Sequence, residues 1–177
     1  MKNLNLPNLL TIIRILALPF CAYALFKNGG DDSTWRIIAW VLFFLVGMTD
    51  SLDGKIARSR NQITPLGIFL DPIADKAFIG TALIGLSILG DMPWWVTIFI
   101  LVREILVTLL RLVVIKRGVI PASKGGKIKT LTQNFSIGFY VLPLPSFLYL
   151  PRDIFLGVAL ILTLVTGLDY LKKAVTK

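Results

Sequence analysis

Long apolar runs alternate along this chain with short stretches of Gly, Pro, Asp, Lys and Arg. Six runs can be read, at roughly 7–26, 35–57, 68–89, 93–115, 130–150 and 154–175, each near the ~20 residues a helix needs to cross the hydrocarbon core. At the helical period these runs leave no polar face, which excludes a soluble bundle. The expected fold is an all-α integral membrane protein with six transmembrane helices, in a single domain over residues 1–177. A short interfacial segment, residues 1–10, leads into the first helix, with Pro7-Asn8 marking its start. Arg14 interrupts the first run and no small-residue cleavage site closes it near Phe26, so it does not read as a signal peptide.

Charge gives the runs an orientation. Only 16% of the 177 residues are charged, against about 25% in soluble domains. With six crossings, both termini share one side of the bilayer. That side holds sixteen of the nineteen Lys and Arg residues, and the other holds only Lys27, Arg36 and Arg152. The positive-inside rule therefore puts both termini in the cytoplasm of a multi-pass protein of the cell's inner membrane. The net charge of +9 reads as topology and contact with anionic membrane lipid. A nucleic acid partner would need a basic face on a soluble fold, and none is present. Trp35, Trp94 and Trp95 fall at the opposite interface, as an aromatic belt does.

Four aspartates break this oily background. Asp50 and Asp53 are three apart near the cytoplasmic end of the second run; Asp71 and Asp75 are four apart at the start of the third. Each pair shares a helix face, and a turn through 58–66 with Pro65 as breaker brings the two helix ends together. Four like charges in a low-dielectric cavity repel one another strongly, and bound divalent cations remove that penalty. Hard oxygen ligands favour magnesium or manganese over zinc. The chain has no His, and its single cysteine, Cys21, lies in an apolar run away from the aspartates. Two such ions form a familiar clamp for phosphoryl transfer. Between the pairs, Gly54 and Ala57 would let a flat base or ribose approach the helix, with Arg58 beside its phosphate. Gly67 keeps the wall between the pairs thin.

The run Asp50-Ser51-Leu52-Asp53-Gly54-Lys55-Ile56-Ala57-Arg58, followed by Gly67, Asp71 and Asp75, resembles the signature of the CDP-alcohol phosphotransferases at every fixed position. The resemblance runs through nearly the whole chain and implies six membrane helices in a homodimer. It implies that Asp50, Asp53, Asp71 and Asp75 line a dimetal site and that Asp75 is the general base. It further implies that Gly54, Ala57 and Arg58 hold the CDP group, with Asn8 and Thr11 bordering the cytidine pocket. Three weaker stretches are similar to the branch that takes sn-glycerol 3-phosphate as acceptor. They are 6–11 with Arg14, Val102-Arg103-Glu104, and 122–130 with Gln133. The implied reaction is attack by the acceptor's 1-hydroxyl on the lipid-bearing phosphorus of CDP-diacylglycerol, with CMP leaving.

An acceptor that carries its own phosphate needs a cationic clamp. Arg111, Lys127 and Lys129 are the candidates, and Arg103-Glu104 reads as an internal pair that buttresses the site. The same chemistry with serine or inositol phosphate as acceptor is the nearest alternative. A divalent-cation transporter is the more distant one, because its acidic sites lie near the bilayer midplane and often in repeat-related broken helices.

Overall fold

The computed structural model describes residues 5–59, 64–114 and 124–175; among these, the side chains at 50–59, 65, 68, 111–114, 124 and 173–175 are outside the description. The described residues form an all-α protein of six helices with no strand: α1 Leu6–Phe26, α2 Ser33–Ser59, α3 Pro65–Ile88, α4 Trp94–Val114, α5 Lys124–Val141 and α6 Tyr149–Val175. Two stretches, Leu6–Gly30 and Ser146–Lys172, are long and apolar enough to cross a membrane. The chain divides into two compact units, Met1–Gly90 with Val141–Pro143, and Asp91–Tyr140 with Leu144–Lys177.

In the first unit α1 packs against both α2 and α3. Asn5 caps α1 by accepting the Asn8 N–H at 3.0 Å, and Pro7 occupies the first turn, where its missing N–H costs nothing. The buried positions of α1, namely Pro7, Asn8, Thr11, Arg14, Leu18, Cys21, Ala24 and Leu25, recur every three or four residues and so form one stripe. Glycines on α3 let that stripe come close. A Cβ added at Gly67 would lie 2.7 Å from Asn8 Oδ1, and one added at Gly85 would lie 2.7 Å from Leu25 Cδ2. Eighteen residues are five full turns, so both glycines are on one face of α3, about 27 Å apart along its axis. The α1–α3 contact therefore runs nearly the length of both helices.

The reversal after α1 uses left-handed backbone at Asn28, Gly29 and Gly30. Asp32 then accepts the N–H groups of Thr34 and Trp35 at the start of α2, and the Asn28 amide at 2.9 Å. The Asn28 amide and then the Trp35 N–H hold the Asp32 carboxyl below the usual carboxylate range. Lys27 Nζ sits 5.3 Å from the Tyr23 ring centre and 5.8 Å from that of Trp35, a cation–π pair suited to a membrane interface.

In the second unit α4 packs on α6. The fifth helix differs from the expected 130–150: it begins at Lys124 and stops at Val141. Hydropathy overlooks a helical turn made of Lys and Gly, and Pro143 and Pro145 prevent the helix from continuing. The α5–α6 connection is pinned by Tyr140, whose hydroxyl donates to Asp153 at 2.7 Å, and by Arg152 stacked 4.0 Å over the Tyr140 ring.

Several polar side chains are buried among apolar ones on these helices, while large apolar side chains face outward. Asn8, Thr11, Arg14, Glu104, Lys129, Gln133, Ser136 and Thr163 are buried. Phe20, Ile98, Leu106, Leu131, Phe135 and Ile161 are all more than half exposed. Water would favour the reverse arrangement.

Candidate active site

The third helix supplies the described half of the acidic cluster. Thr64 opens it: its hydroxyl accepts the Gly67 N–H at 3.1 Å while Pro65 takes the first helical position. The same hydroxyl accepts from Asn8 Nδ2 at 2.8 Å, so the cap of α3 also fixes the first turn of α1. One turn on, the Thr11 hydroxyl lies 2.9 Å from Asp71 Oδ1 and 3.1 Å from the Pro7 carbonyl. The carboxylate is the stronger acceptor of that single proton. Asp71 itself is exposed, although Thr11 is fully buried. The hydrogen bond therefore orients one carboxylate oxygen and leaves the group open to solvent. Asp75, one turn further along the same face, accepts from Lys76 Nζ at 2.8 Å and is 38% exposed.

Asp50, Asp53, Gly54, Ala57 and Arg58 lie on the last turns of α2. Their side chains are outside the described residues, so the structure gives backbone helix there and nothing of the ligating groups. Among the described residues no three His, Cys, Asp or Glu side chains form a group that could hold a metal ion. The half that is described fits a hard cation. Asp71 and Asp75 offer oxygen donors at helical i, i+4 spacing, and Thr11 acts as an orienting partner behind one of them.

The candidate acceptor residues belong to the second unit. The side chain of Arg111 is outside the described residues. Lys127 and Lys129 are in α5 rather than in a loop, and two residues on a helix point to opposite sides. Lys127 is accordingly exposed, whereas Lys129 is 2% exposed and ion-paired with Glu104 of α4. Arg103 also donates to Glu104, at 2.8 Å.

Two of these contacts have no counterpart in the spacing of the sequence. Thr64 caps α3 and also grips Asn8, a contact across 56 residues. The expected Arg103–Glu104 pair is present, and Glu104 has a second partner, Lys129, 25 residues away in the chain.

Residues 4–166 match the family of CDP-alcohol phosphatidyltransferases, and the chain belongs to that family of enzymes. The expectation drawn from the aspartate signature is thereby met at family level. Among relatives, a probable phosphatidylglycerophosphate synthase of Mycobacterium tuberculosis (strain H37Rv) is 51% identical over 170 residues, covering 96% of this chain and 81% of its own. The CDP-diacylglycerol–glycerol-3-phosphate 3-phosphatidyltransferase of Rickettsia bellii is 39% identical over 95% of this chain and 94% of its own. The enzyme of the same name from Bacillus subtilis (strain 168) is 37% identical over 96% and 94%.

The α1–α3 contact has a measurable consequence. Gly67→Ala forces a methyl group onto Asn8 Oδ1, which is buried and held by Thr64. Overpacking of this kind costs about 1–3 kcal/mol. The variant is expected to melt earlier in detergent. A melting curve that superimposes on wild type would show that the helices have room to spare.

Proposed function

We propose that this protein transfers the phosphatidyl group of CDP-diacylglycerol to sn-glycerol 3-phosphate, releasing CMP and forming phosphatidylglycerophosphate. The observation that carries the reading is the contact between α2 and α3. An added Cβ at Gly47 would lie 3.5 Å from Phe78, and the Phe43 and Phe78 rings meet at 5.8 Å. α3 runs parallel to α1, with Gly67 at Asn8 and Gly85 at Leu25, and α2 reverses from α1 at Asn28–Gly30, so α2 and α3 are antiparallel. One turn from this contact toward their joined ends, position 50 is level with 75; a further turn makes 53–54 level with 71–72. That register supports a shared cavity for the four aspartates, with Thr11 behind Asp71.

Within this reading the acceptor's 1-hydroxyl gives its proton to the Asp75 carboxylate as its oxygen attacks the diacylglycerol-bearing phosphorus. The bond from that phosphorus to the CMP oxygen breaks, and CMP leaves with the electron pair. Asp50, Asp53, Asp71 and Asp75 would hold magnesium or manganese, which when bound offsets the charge of the diphosphate and of the departing CMP. Gly54 and Ala57 admit the nucleotide and Arg58 pairs with its phosphate, while Asn8 and Thr11 border the cytidine. Lys129, with Arg111 and Lys127, receives the acceptor's phosphate. No Ser, Cys or His recommends itself as a covalent nucleophile, which supports direct in-line displacement.

The large apolar side chains exposed on these helices, with polar ones buried behind them, support six crossings, and the skew of Lys and Arg supports cytoplasmic termini and a cytoplasmic active site in the inner membrane. The reading includes one domain and a homodimer, as the family resemblance implies. The test is product identification. Purified protein given CDP-diacylglycerol is expected to consume glycerol 3-phosphate and release CMP, and to leave serine and inositol 1-phosphate untouched. Incorporation of serine in place of glycerol 3-phosphate would overturn the acceptor.

A further inference from the structure

Among the described residues of α4, α5 and α6, Glu104 is the only buried carboxylate. Its Oε1 accepts from Arg103 on its own helix and from Lys129 on α5. The second terminal nitrogen of Arg103 donates to Thr166 Oγ1 on α6 at 2.9 Å. Gly167 leaves the space Arg103 occupies: a Cβ there would lie 3.4 Å from its Nε. Glu104 thus joins α4 to α5, and Arg103 joins α4 to α6.

Two physical points follow. A lysine with its side chain only 3% exposed is costly unless its charge is answered, and Glu104 answers it at a fixed place. Among the described residues, Arg103 and Lys129 are two cations beside the one carboxylate, and a guanidinium and an ammonium suit a phosphomonoester in charge and in acceptor oxygens.

We propose that Glu104 is a positioning residue for the acceptor's phosphate: it fixes the Lys129 ammonium so that the phosphomonoester meets it in a single geometry. This rests on the reading of glycerol 3-phosphate as acceptor. Without the carboxylate, the flexible four-carbon stem lets the ammonium leave for water, and the phosphate loses one charge-assisted hydrogen bond.

The experiment is steady-state kinetics on Glu104→Gln, Glu104→Asp, Lys129→Met and the Glu104→Gln/Lys129→Met double variant, purified in detergent. Glu104→Gln should raise the KM for glycerol 3-phosphate on the order of ten- to a hundredfold, the span of one such bond. The KM for CDP-diacylglycerol and kcat should change far less. Lys129→Met should match it, and the double variant should be no worse than Lys129→Met alone, because both changes remove one interaction. Glu104→Asp keeps the charge but withdraws it, and should raise the same KM several-fold. If Glu104→Gln does not fold, Glu104→Asp decides. Equal changes in both KM values, an additive double variant or an unaltered KM in Glu104→Asp would reduce Glu104 to a helix staple. A wild-type enzyme that makes no product from glycerol 3-phosphate would instead remove the acceptor reading itself.

Discussion

Asp75→Asn lowers turnover by about 10²–10⁴-fold, the range of a lost general base, in a protein that still folds. The expectation of a retained fold is quantitative. Asp75 is 38% exposed, and Lys76, the next residue of the same helix, is its described ion-pair partner. Exposed pairs of this kind contribute roughly 0–1 kcal/mol, too little to unfold a helix that α1 holds along its length. Asparagine keeps the shape and hydrogen-bonding reach of the side chain but cannot take a proton from the acceptor hydroxyl. The measurement is CMP release from CDP-diacylglycerol under saturating acceptor, with helical circular dichroism recorded on the same sample. Residual activity above roughly a tenth of wild type, outside the range of a lost base, would remove Asp75 from that role.

The order of the helices was legible because each apolar run is bounded by residues that stop a helix. Pro65, expected as the breaker ahead of the third run and found at the first position of α3, is an example. Boundaries failed where neither hydropathy nor helix propensity signals a helix, as in Lys124-Gly125-Gly126-Lys127, which is helical although polar and rich in glycine. The aspartate spacing was legible because its meaning is local: residues three or four apart share a face. Asn8 and Thr11 were expected beside the nucleotide from resemblance, and the structure ties both to the helix that bears Asp71 and Asp75, through Thr64 and Asp71. Contacts between distant helices left no trace in spacing. That Lys129 is buried against Glu104 while Lys127 is exposed becomes visible only when α5 is known to start at Lys124.

Removing divalent metal should silence the enzyme without unfolding it. Dialysis against EDTA is expected to cut turnover by about 10³-fold or more, since metal stabilisation of phosphoryl transfer is worth several kcal/mol and each 1.36 kcal/mol is tenfold. Magnesium or manganese should restore activity. Zinc should do so poorly, because the site offers carboxylates and neither imidazole nor thiolate. The packing of the helix that carries Asp71 and Asp75 rests on neutral contacts. Gly67 and Gly85 seat α3 on α1 by shape, and Thr11 holds Asp71 through a neutral hydroxyl. Helical content and melting in detergent should therefore shift little on chelation. A large loss of helix would make the ion structural, and turnover undiminished after full chelation would leave four carboxylates with no charge to answer them and end the dimetal reading. Thr11→Val separates the two roles further. It removes the orienting bond behind Asp71 and should raise the metal concentration needed for half-maximal activity by 10–100-fold, as lost outer-shell partners do, while saturating metal recovers most of kcat.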